Sequence, residues 1–172
     1  RIKLGSPVLF TQYRPGLIDP KTGKERIFKM YKFRTMTDKK DAEGNLLPDE
    51  IRLTKFGAWL RATSLDELPE AFCILNGTMT LIGPRPQLVR DMVFMSEEQR
   101  MRHTAKPGLS GLAQVSGRNA ISWDRKLQYD LEYIEHVSFG RDLKILFKTV
   151  EKAFIKQEGI TEEGSVTAAD YG

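Results

Sequence analysis

Large apolar residues alternate with polar and basic ones near the start of the chain, a pattern typical of β-strands. It predicts one strand over residues 8–13, which Arg14-Pro15-Gly16 then ends. A second strand follows over residues 26–34, after a cluster of turn-forming residues at 19–24. The two strands together predict a β-hairpin.

The remaining apolar residues recur mostly at helical spacing. Ser122 is the predicted cap of one segment, and Ser96 opens another with the form of a capping box. A third segment places Leu68, Phe72 and Leu75 on a single stripe. The predicted helices span residues 54–62, 66–75, 96–104, 122–136 and 139–156.

Polar segments separate these elements. Residues 38–50 are rich in turn formers and predict an exposed loop, whereas residues 112–115 predict a short strand. We therefore expect an α+β fold, a single mainly helical domain with a small β-hairpin or sheet. The domain covers residues 1–156, and a polar tail follows at 157–172.

Composition narrows the classes of function. The 172 residues carry a formal net charge of +4, which is compatible with anionic ligands or an anionic membrane surface. This modest charge, without a known motif and with scattered aromatic residues, argues for no nucleic acid partner. Cys73 is the only cysteine, which excludes an intrachain disulfide and, with two histidines, disfavours a zinc site.

The sequence predicts no membrane-spanning segment, because no stretch reaches the roughly 18–20 apolar residues that a span needs. The chain begins at Arg1 without a methionine, within sequence that has the character of a folded domain. We therefore expect a further segment to precede it.

Two adjacent carboxylates, Asp66 and Glu67, stand near the start of a predicted helix. In a structural interpretation, Ser64 and Glu67 form a capping box, although Pro69 favours a helix that starts at Asp66. In a functional interpretation, Asp66 is a nucleophile toward phosphorus, and both acids are metal ligands. A carboxylate at a helix N-terminus is expected to stay ionised. Both interpretations remain open.

An arginine held between two prolines, Pro84-Arg85-Pro86, is the first candidate phosphate ligand. The prolines restrict the backbone on both sides of Arg85, so its guanidinium suits bidentate binding of phosphate. The alternative is a rigid loop whose arginine pairs with a surface acid. Arg61, about one turn before Asp66, joins the same cluster or lies in solvent.

Three more basic residues are candidate substrate ligands. Lys32 and Arg34 lie on one face of the second strand if the alternation continues, and the alternative is that both are simply solvated. Arg118 lies in Ser116-Gly117-Arg118-Asn119, which resembles a phosphate-binding turn, although such tetrapeptides are common.

The last predicted helix is amphipathic. Such a basic helix can lie on an anionic bilayer, or it can pack its apolar side on the core and expose the rest. Its lysines recur every four residues at Lys144, Lys148, Lys152 and Lys156. Its apolar stripe consists of Leu143, Leu146, Phe147, Val150 and Phe154.

Five motifs in order give the chain a resemblance to the monotopic bacterial phosphoglycosyl transferases, the bacterial sugar transferase family. The resemblance is nearest to the small kind exemplified by the protein-glycosylation initiating enzyme of Campylobacter. It covers nearly the whole chain. The motifs comprise residues 8–16, Tyr31-Lys32-Phe33-Arg34-Thr35-Met36, Ser64-Leu65-Asp66-Glu67-Leu68-Pro69, Ile82-Gly83-Pro84-Arg85-Pro86 and residues 107–119.

The resemblance implies a reaction. Members of this family move a sugar-1-phosphate from a UDP-sugar to a polyprenol phosphate such as undecaprenyl phosphate and release UMP. Asp66 would form a covalent phosphosugar intermediate, and Glu67 would support it together with the Mg²⁺ (magnesium) that the family requires. The cations gathered around the diphosphate and nucleotide would be Lys32, Arg61, Arg85 and Arg118.

The resemblance also implies a location. The family carries an N-terminal re-entrant membrane helix, which is absent from this sequence, and its catalytic domain lies at the cytoplasmic face of the inner membrane. The alternative function is a non-catalytic module that binds a nucleotide-sugar. The transferred sugar, the glycan pathway and the oligomeric state stay open.

Overall fold

The computed structural model of the chain describes residues 1–117 and 121–152. The strands are β1 (Leu9–Ile18), β2 (Glu25–Phe33), β3 (Thr80–Ile82) and β4 (Gly108–Ser110). The α-helices are α1 (Asp49–Arg52), α2 (Lys55–Ala62), α3 (Ala71–Leu75), α4 (Glu97–Arg100), α5 (Leu112–Ser116), α6 (Trp123–Glu135) and α7 (Phe139–Val150). Short 3₁₀ helices cover Leu65–Glu70, Val89–Phe94 and Met101–Thr104. The predicted α+β fold is confirmed.

The β-hairpin is confirmed, but its first strand is longer than predicted. β1 pairs antiparallel with β2 and continues through Pro15, which lies opposite Ile27. The register then shifts between Pro15 and Ile18, and such an irregularity accommodates a proline within a strand. The prediction that Arg14-Pro15-Gly16 ends the strand was therefore wrong.

The second sheet pairs β3 with β4 in parallel, with Ile82 opposite Ser110. The predicted strand at 112–115 was wrong, because those residues form α5 and the strand lies just before them. Glycines explain the placement. A Cβ on Gly108 would lie 2.1 Å from the backbone nitrogen of Gly83, so only glycine permits this approach.

The helix termini show where local sequence decides structure. Ser96 and Gln99 form the predicted capping box, and Ser122 accepts a hydrogen bond from the backbone N–H of Arg125. Both predictions are confirmed. The segment predicted as one helix over 66–75 is instead a 3₁₀ helix followed by α3.

Among the described residues the buried apolar side chains form three groups, and two predicted apolar stripes lie outside these groups. Leu68, Phe72 and Leu75 are exposed, whereas Cys73 between them is fully buried. The core groups are Phe28, Met30, Cys73 and Met79; Ile82, Val115, Tyr133 and Ile145; and Met95, Trp123 and Leu127.

Helix α7 buries only Ile145 among its described residues. Its predicted apolar stripe is exposed throughout the described part of the chain, with Phe147 at 68%. The interpretation in which this stripe packs on the core is therefore wrong. Phe154 and Lys156 lie outside the described residues. No described helix has both the length and the apolar character that a membrane crossing requires.

Candidate active site

The two adjacent carboxylates lie in the first turn of the 3₁₀ helix Leu65–Glu70. Ser64, just before it, has a positive φ of 56°, and its side chain caps no backbone N–H. The capping-box interpretation of Ser64 and Glu67 is therefore wrong. A non-glycine residue in the left-handed region is uncommon and costs free energy, so this turn is a candidate functional site.

Glu67 is held by two cations. Its Oε1 atom accepts hydrogen bonds from Lys32 Nζ and from Arg85 Nη2, both at 2.8 Å. Burial alone would raise the pKa of Glu67, but Arg85 and Lys32 outweigh it and lower the pKa to about 2. Glu67 is thus ionised across the whole physiological range. The alternative in which Arg85 pairs with a surface acid is wrong, because the Glu67 side chain is largely buried.

Asp66 lies beside this ion-pair network and is only 9% exposed. Burial and then the neighbouring charge of Glu67 raise the pKa of Asp66, while Lys32 and Arg61 oppose the shift. The direction is opposite to the one expected for a carboxylate at a helix N-terminus, because loss of hydration outweighs the helix dipole. A more basic carboxylate with less hydration is a stronger nucleophile once ionised.

Glu70 is a third carboxylate of the site that sequence reasoning missed. Its Oε1 atom lies 3.4 Å from Lys32 Nζ. Burial and Glu67 raise the pKa of Glu70. The sequence feature that could have identified Glu70 is its three-residue spacing from Glu67, which brings the two side chains to one side of a helical turn.

Arg14 was not among the predicted site residues, although Arg14-Pro15-Gly16 belongs to the first family motif and was predicted to end the first strand. Its Nη1 donates to the carbonyl of Pro86 at 3.0 Å, and its Nη2 donates to Gln12 Oε1 at 2.6 Å. Burial and the nearby charge of Arg85 lower the pKa of Arg14 to about 10, so it remains a cation at neutral pH. Through the Pro86 carbonyl, Arg14 contacts the loop that carries Arg85.

The other predicted cations have different positions. Arg61 Nε donates to Thr35 Oγ1 at 3.1 Å, and its charge lowers the pKa of Asp66, so Arg61 belongs to the cluster. Arg34 instead donates to the carbonyls of Met36 and Ser6 and pairs with Asp38. Its strand ends one residue earlier at Phe33, so the alternation with Lys32 does not continue. Arg118 lies outside the described residues.

Gly57 allows α2, which carries Arg61, to approach the backbone of Thr35, just after β2. A Cβ at Gly57 would lie 1.8 Å from the carbonyl oxygen of Thr35. We expect Gly57→Ala to destabilise the fold by about 1–3 kcal/mol because the helix must move away. Activity should fall with it, since Arg61 loses its contact with Thr35.

Gly140 in α7 provides the matched control. A Cβ there would have no neighbour within 4 Å. Gly140→Ala should therefore be neutral or stabilise the fold by up to about 1 kcal/mol. Equal urea-denaturation midpoints for the two variants would show that the contact between Gly57 and Thr35 is unimportant.

The fit of the site to a divalent cation follows from its donor set. No group of three or more His, Cys, Asp or Glu side chains within the described ranges is arranged to hold a metal. However, Mg²⁺ commonly takes only one or two carboxylates and completes its shell with phosphate oxygens and water. Burial and then repulsion from Glu67 raise the pKa of Asp66, and a divalent cation at the two carboxylates would relieve the repulsion. The residues therefore fit the ion with a phosphate-bearing ligand present.

These features describe a site for handling phosphate. It holds a basic carboxylate, an ionised acid that fixes two cations in place, and two further arginines nearby. Phosphoryl transfer depends mainly on positioning and on neutralising the charge of the phosphate oxygens. Asp66 can serve as a nucleophile, and Lys32, Arg61 and Arg85 can serve as the neutralising groups.

Comparison with known proteins agrees with this chemistry. The chain is 51% identical over 171 residues to an uncharacterized sugar transferase, EpsL, of Bacillus subtilis, covering 99% of this chain and 81% of EpsL. It is 40% identical to a UDP-glucose:undecaprenyl-phosphate glucose-1-phosphate transferase of Klebsiella pneumoniae. It is 37% identical to the enzyme of the same name in Escherichia coli.

The fraction of each relative's length that this chain spans differs between the relatives. The chain spans only 33% of the Klebsiella enzyme and 35% of the Escherichia enzyme, with 88% and 91% of this chain aligned. The nearer likeness to the Campylobacter protein-glycosylation enzyme stays a prediction. A family described as bacterial sugar transferase matches residues 1–156. The chain therefore belongs to the bacterial sugar transferase family.

Proposed function

We propose that this chain is a phosphoglycosyl transferase that moves a sugar-1-phosphate from a UDP-sugar to undecaprenyl phosphate or a related polyprenol phosphate. The observation that carries the proposal is the placement of Asp66 beside Glu67, whose carboxylate holds Lys32 and Arg85 at 2.8 Å. The activities for which the Klebsiella and Escherichia relatives are named support the same reaction class.

In the first step, a carboxylate oxygen of Asp66 attacks the β-phosphorus of the UDP-sugar. The bond between that phosphorus and the bridging oxygen breaks, and UMP leaves with the oxygen. Arg85 and Lys32 offset charge on the diphosphate, and Arg61, whose charge lowers the pKa of Asp66, adds a third cation near the nucleophile. The product is an aspartyl phosphosugar.

In the second step, a phosphate oxygen of the polyprenol phosphate attacks the same phosphorus. The bond to Asp66 breaks, the carboxylate is regenerated, and a polyprenol diphosphate sugar is released. A covalent intermediate suits two dissimilar substrates, because the soluble donor leaves before the lipid enters the same site. Mg²⁺ held by Asp66 and Glu67 would supply further charge neutralisation on the phosphates.

The test is UMP release from a panel of UDP-sugars with Mg²⁺. Without a polyprenol phosphate we expect a burst of about one UMP per protein chain, as covalent catalysis predicts. With the lipid in detergent we expect continuous turnover. No UMP release together with retained affinity for a UDP-sugar would favour the alternative, a non-catalytic nucleotide-sugar-binding module.

An anionic membrane surface is the second partner that we propose, in keeping with a location at the cytoplasmic face of the inner membrane. The support is the exposed apolar stripe of α7 beside Lys144 and Lys148. Those lysines and Arg141 line a groove of about 390 Å³ between α5 and α7. Apolar side chains next to cations match the boundary between acyl chains and anionic headgroups.

This proposal predicts a change in vesicle binding. We expect replacing Leu143 and Phe147 together by serine to weaken binding to phosphatidylglycerol vesicles by about tenfold or more, because less apolar surface enters the bilayer. The control is Leu46→Ser in the loop before α1, because Leu46 is 51% exposed, between Leu143 at 40% and Phe147 at 68%. Unchanged binding of the α7 variant would contradict a role for this helix.

A further inference from the structure

The segment Ile82–Pro86, which carries Arg85, accepts hydrogen bonds from other parts of the chain at four of its five carbonyl groups. Its own sequence contains two prolines and a glycine and offers few internal hydrogen bonds. The donors come from four different parts of the chain. They are Tyr133 Oη, whose single O–H is shared between Ile82 at 3.2 Å and Asp142 Oδ1 at 2.8 Å, the Gly108 N–H to Pro84 at 2.9 Å, Arg102 Nη2 to Arg85 at 2.5 Å and Arg14 Nη1 to Pro86 at 3.0 Å.

The donor to Arg85 is itself fixed by a buried ion pair. Nε and Nη2 of Arg102 lie 2.9 Å and 2.6 Å from Asp130 Oδ2. Both residues are only 1% exposed. Because Asp130 belongs to α6, this pair connects α6 to the backbone of Arg85 through one guanidinium group.

Stability alone explains this pair poorly. The cost of dehydrating two charges is comparable to their attraction, and replacing a buried pair by apolar residues is often neutral or stabilising. The planar fork of arginine is what allows Arg102 to contact Asp130 and the Arg85 carbonyl at once. A lysine in its place would keep the charge but lose this geometry.

The consequence concerns the direction of the Arg85 side chain. The buried guanidinium of Arg102 and the partly buried guanidinium of Arg14 fix the carbonyls of Arg85 and Pro86, and the prolines restrict the torsions around them. The side chain therefore leaves a fixed backbone and reaches Glu67 at 2.8 Å. A displacement of about 1 Å in a positioning group can cost about 100-fold in rate.

We propose that Arg102, held by Asp130, is a positioning residue that sets Arg85 against the diphosphate of the donor. This inference rests on the proposed function, in which Arg85 contacts the phosphates. Arg102 touches no reacting atom and acts through Arg85.

The experiment combines Arg102→Lys with Arg85→Ala. We expect Arg102→Lys alone to slow UMP release by about 10–100-fold. In the Arg85→Ala background it should slow release no further, because the group that it positions is gone. Its effect on the melting temperature should persist in both backgrounds, which separates positioning from stability.

Arg100→Lys is the matched control. Arg100 likewise donates Nε and Nη2 to a buried carboxylate, that of Glu25, although its own side chain is 42% exposed; neither of these hydrogen bonds reaches the segment that carries Arg85. It should lower the melting temperature without the loss of rate. Asp130→Asn is the second variant, used if Arg102→Lys does not fold, and it should show the same dependence on Arg85 with a smaller loss.

Affinity for UDP, measured by calorimetry on the same variants, keeps the two proposals distinguishable. If the wild type is active, the positioning role alone would be overturned by either of two results. One is that Arg102→Lys slows UMP release by less than twofold, and the other is that it slows release equally in the wild-type and Arg85→Ala backgrounds. An inactive wild type would overturn the proposed function. UDP affinity that Arg102→Lys weakens only when Arg85 is present would still support positioning in that case, and affinity that stays unchanged would overturn it.

Discussion

Replacing Asp66 by asparagine is expected to lower turnover by at least about 1,000-fold while leaving the fold as stable as the wild type or more so. Asparagine has nearly the same shape but is a poor nucleophile, so the covalent step is lost. The stability follows from the pKa of Asp66, which burial and Glu67 raise. At neutral pH the ionised side chain therefore destabilises the folded state, and asparagine removes that charge.

Urea denaturation and UMP release on the same preparations check both parts of this prediction. The destabilisation by Asp66 should shrink as the pH falls through its folded-state pKa, so the advantage of Asp66→Asn should shrink with it. Asp124→Asn, at an exposed acid in the first turn of α6, is the matched control; it should leave UMP release unchanged and lower stability by no more than about 1 kcal/mol. An Asp66→Asn variant with full activity would show that another group is the nucleophile.

The second large effect is expected from Glu67→Gln, which should reduce both activity and stability. The amide carries no charge, so Lys32 and Arg85 lose the carboxylate that holds them together. We expect a loss of about 1–3 kcal/mol at pH 7, since two charge-assisted hydrogen bonds are weakened inside a largely buried site. UMP release should fall because both cations leave their positions.

This stability difference should depend on pH in a defined direction. The pKa of Glu67 is lowered to about 2 from an ordinary value of 4.5. The ionised Glu67 side chain contributes fully to the free energy of unfolding above about pH 4.5, and this contribution is lost as the pH falls toward 2. The difference in the free energy of unfolding between wild type and Glu67→Gln should therefore shrink across that window. Asp66 and Glu70 have raised pKa values, so their ionisation has the opposite effect on the pH dependence of stability. The quantity to measure is therefore the difference in the free energy of unfolding between wild type and Glu67→Gln.

Glu98→Gln is the matched control for this experiment, because Glu98 is exposed in the first turn of α4. We expect it to change stability by no more than about 0.5 kcal/mol. A difference between wild type and Glu67→Gln that stays constant from pH 5 to pH 2.5 would contradict the ion pairing of Glu67.

The features that sequence alone predicted are those decided by neighbouring residues. The caps at Ser96 and Ser122 depend on a backbone N–H three residues away, which the sequence displays directly. The Pro84-Arg85-Pro86 motif likewise indicated a rigid cation before its partner was known. Such local rules hold wherever no distant contact overrides them.

The features that sequence missed depend on distant contacts. Arg14 supports a carbonyl 72 residues away, and the strand at Gly108–Ser110 exists because Gly108 can approach Gly83. The raised pKa of Asp66 reflects burial, which the helix-terminus rule does not include. Arg34 diverges from Lys32 because the strand ends between them.

The most direct measurement is the intact mass of the protein after incubation with a UDP-sugar and Mg²⁺ in the absence of a polyprenol phosphate. We predict an increase equal to one sugar-phosphate group, located by peptide mapping on Asp66, lost on addition of the lipid phosphate and absent in Asp66→Asn. An unmodified wild type that nevertheless turns over when the lipid is present, or an adduct on another residue, would contradict covalent catalysis by Asp66.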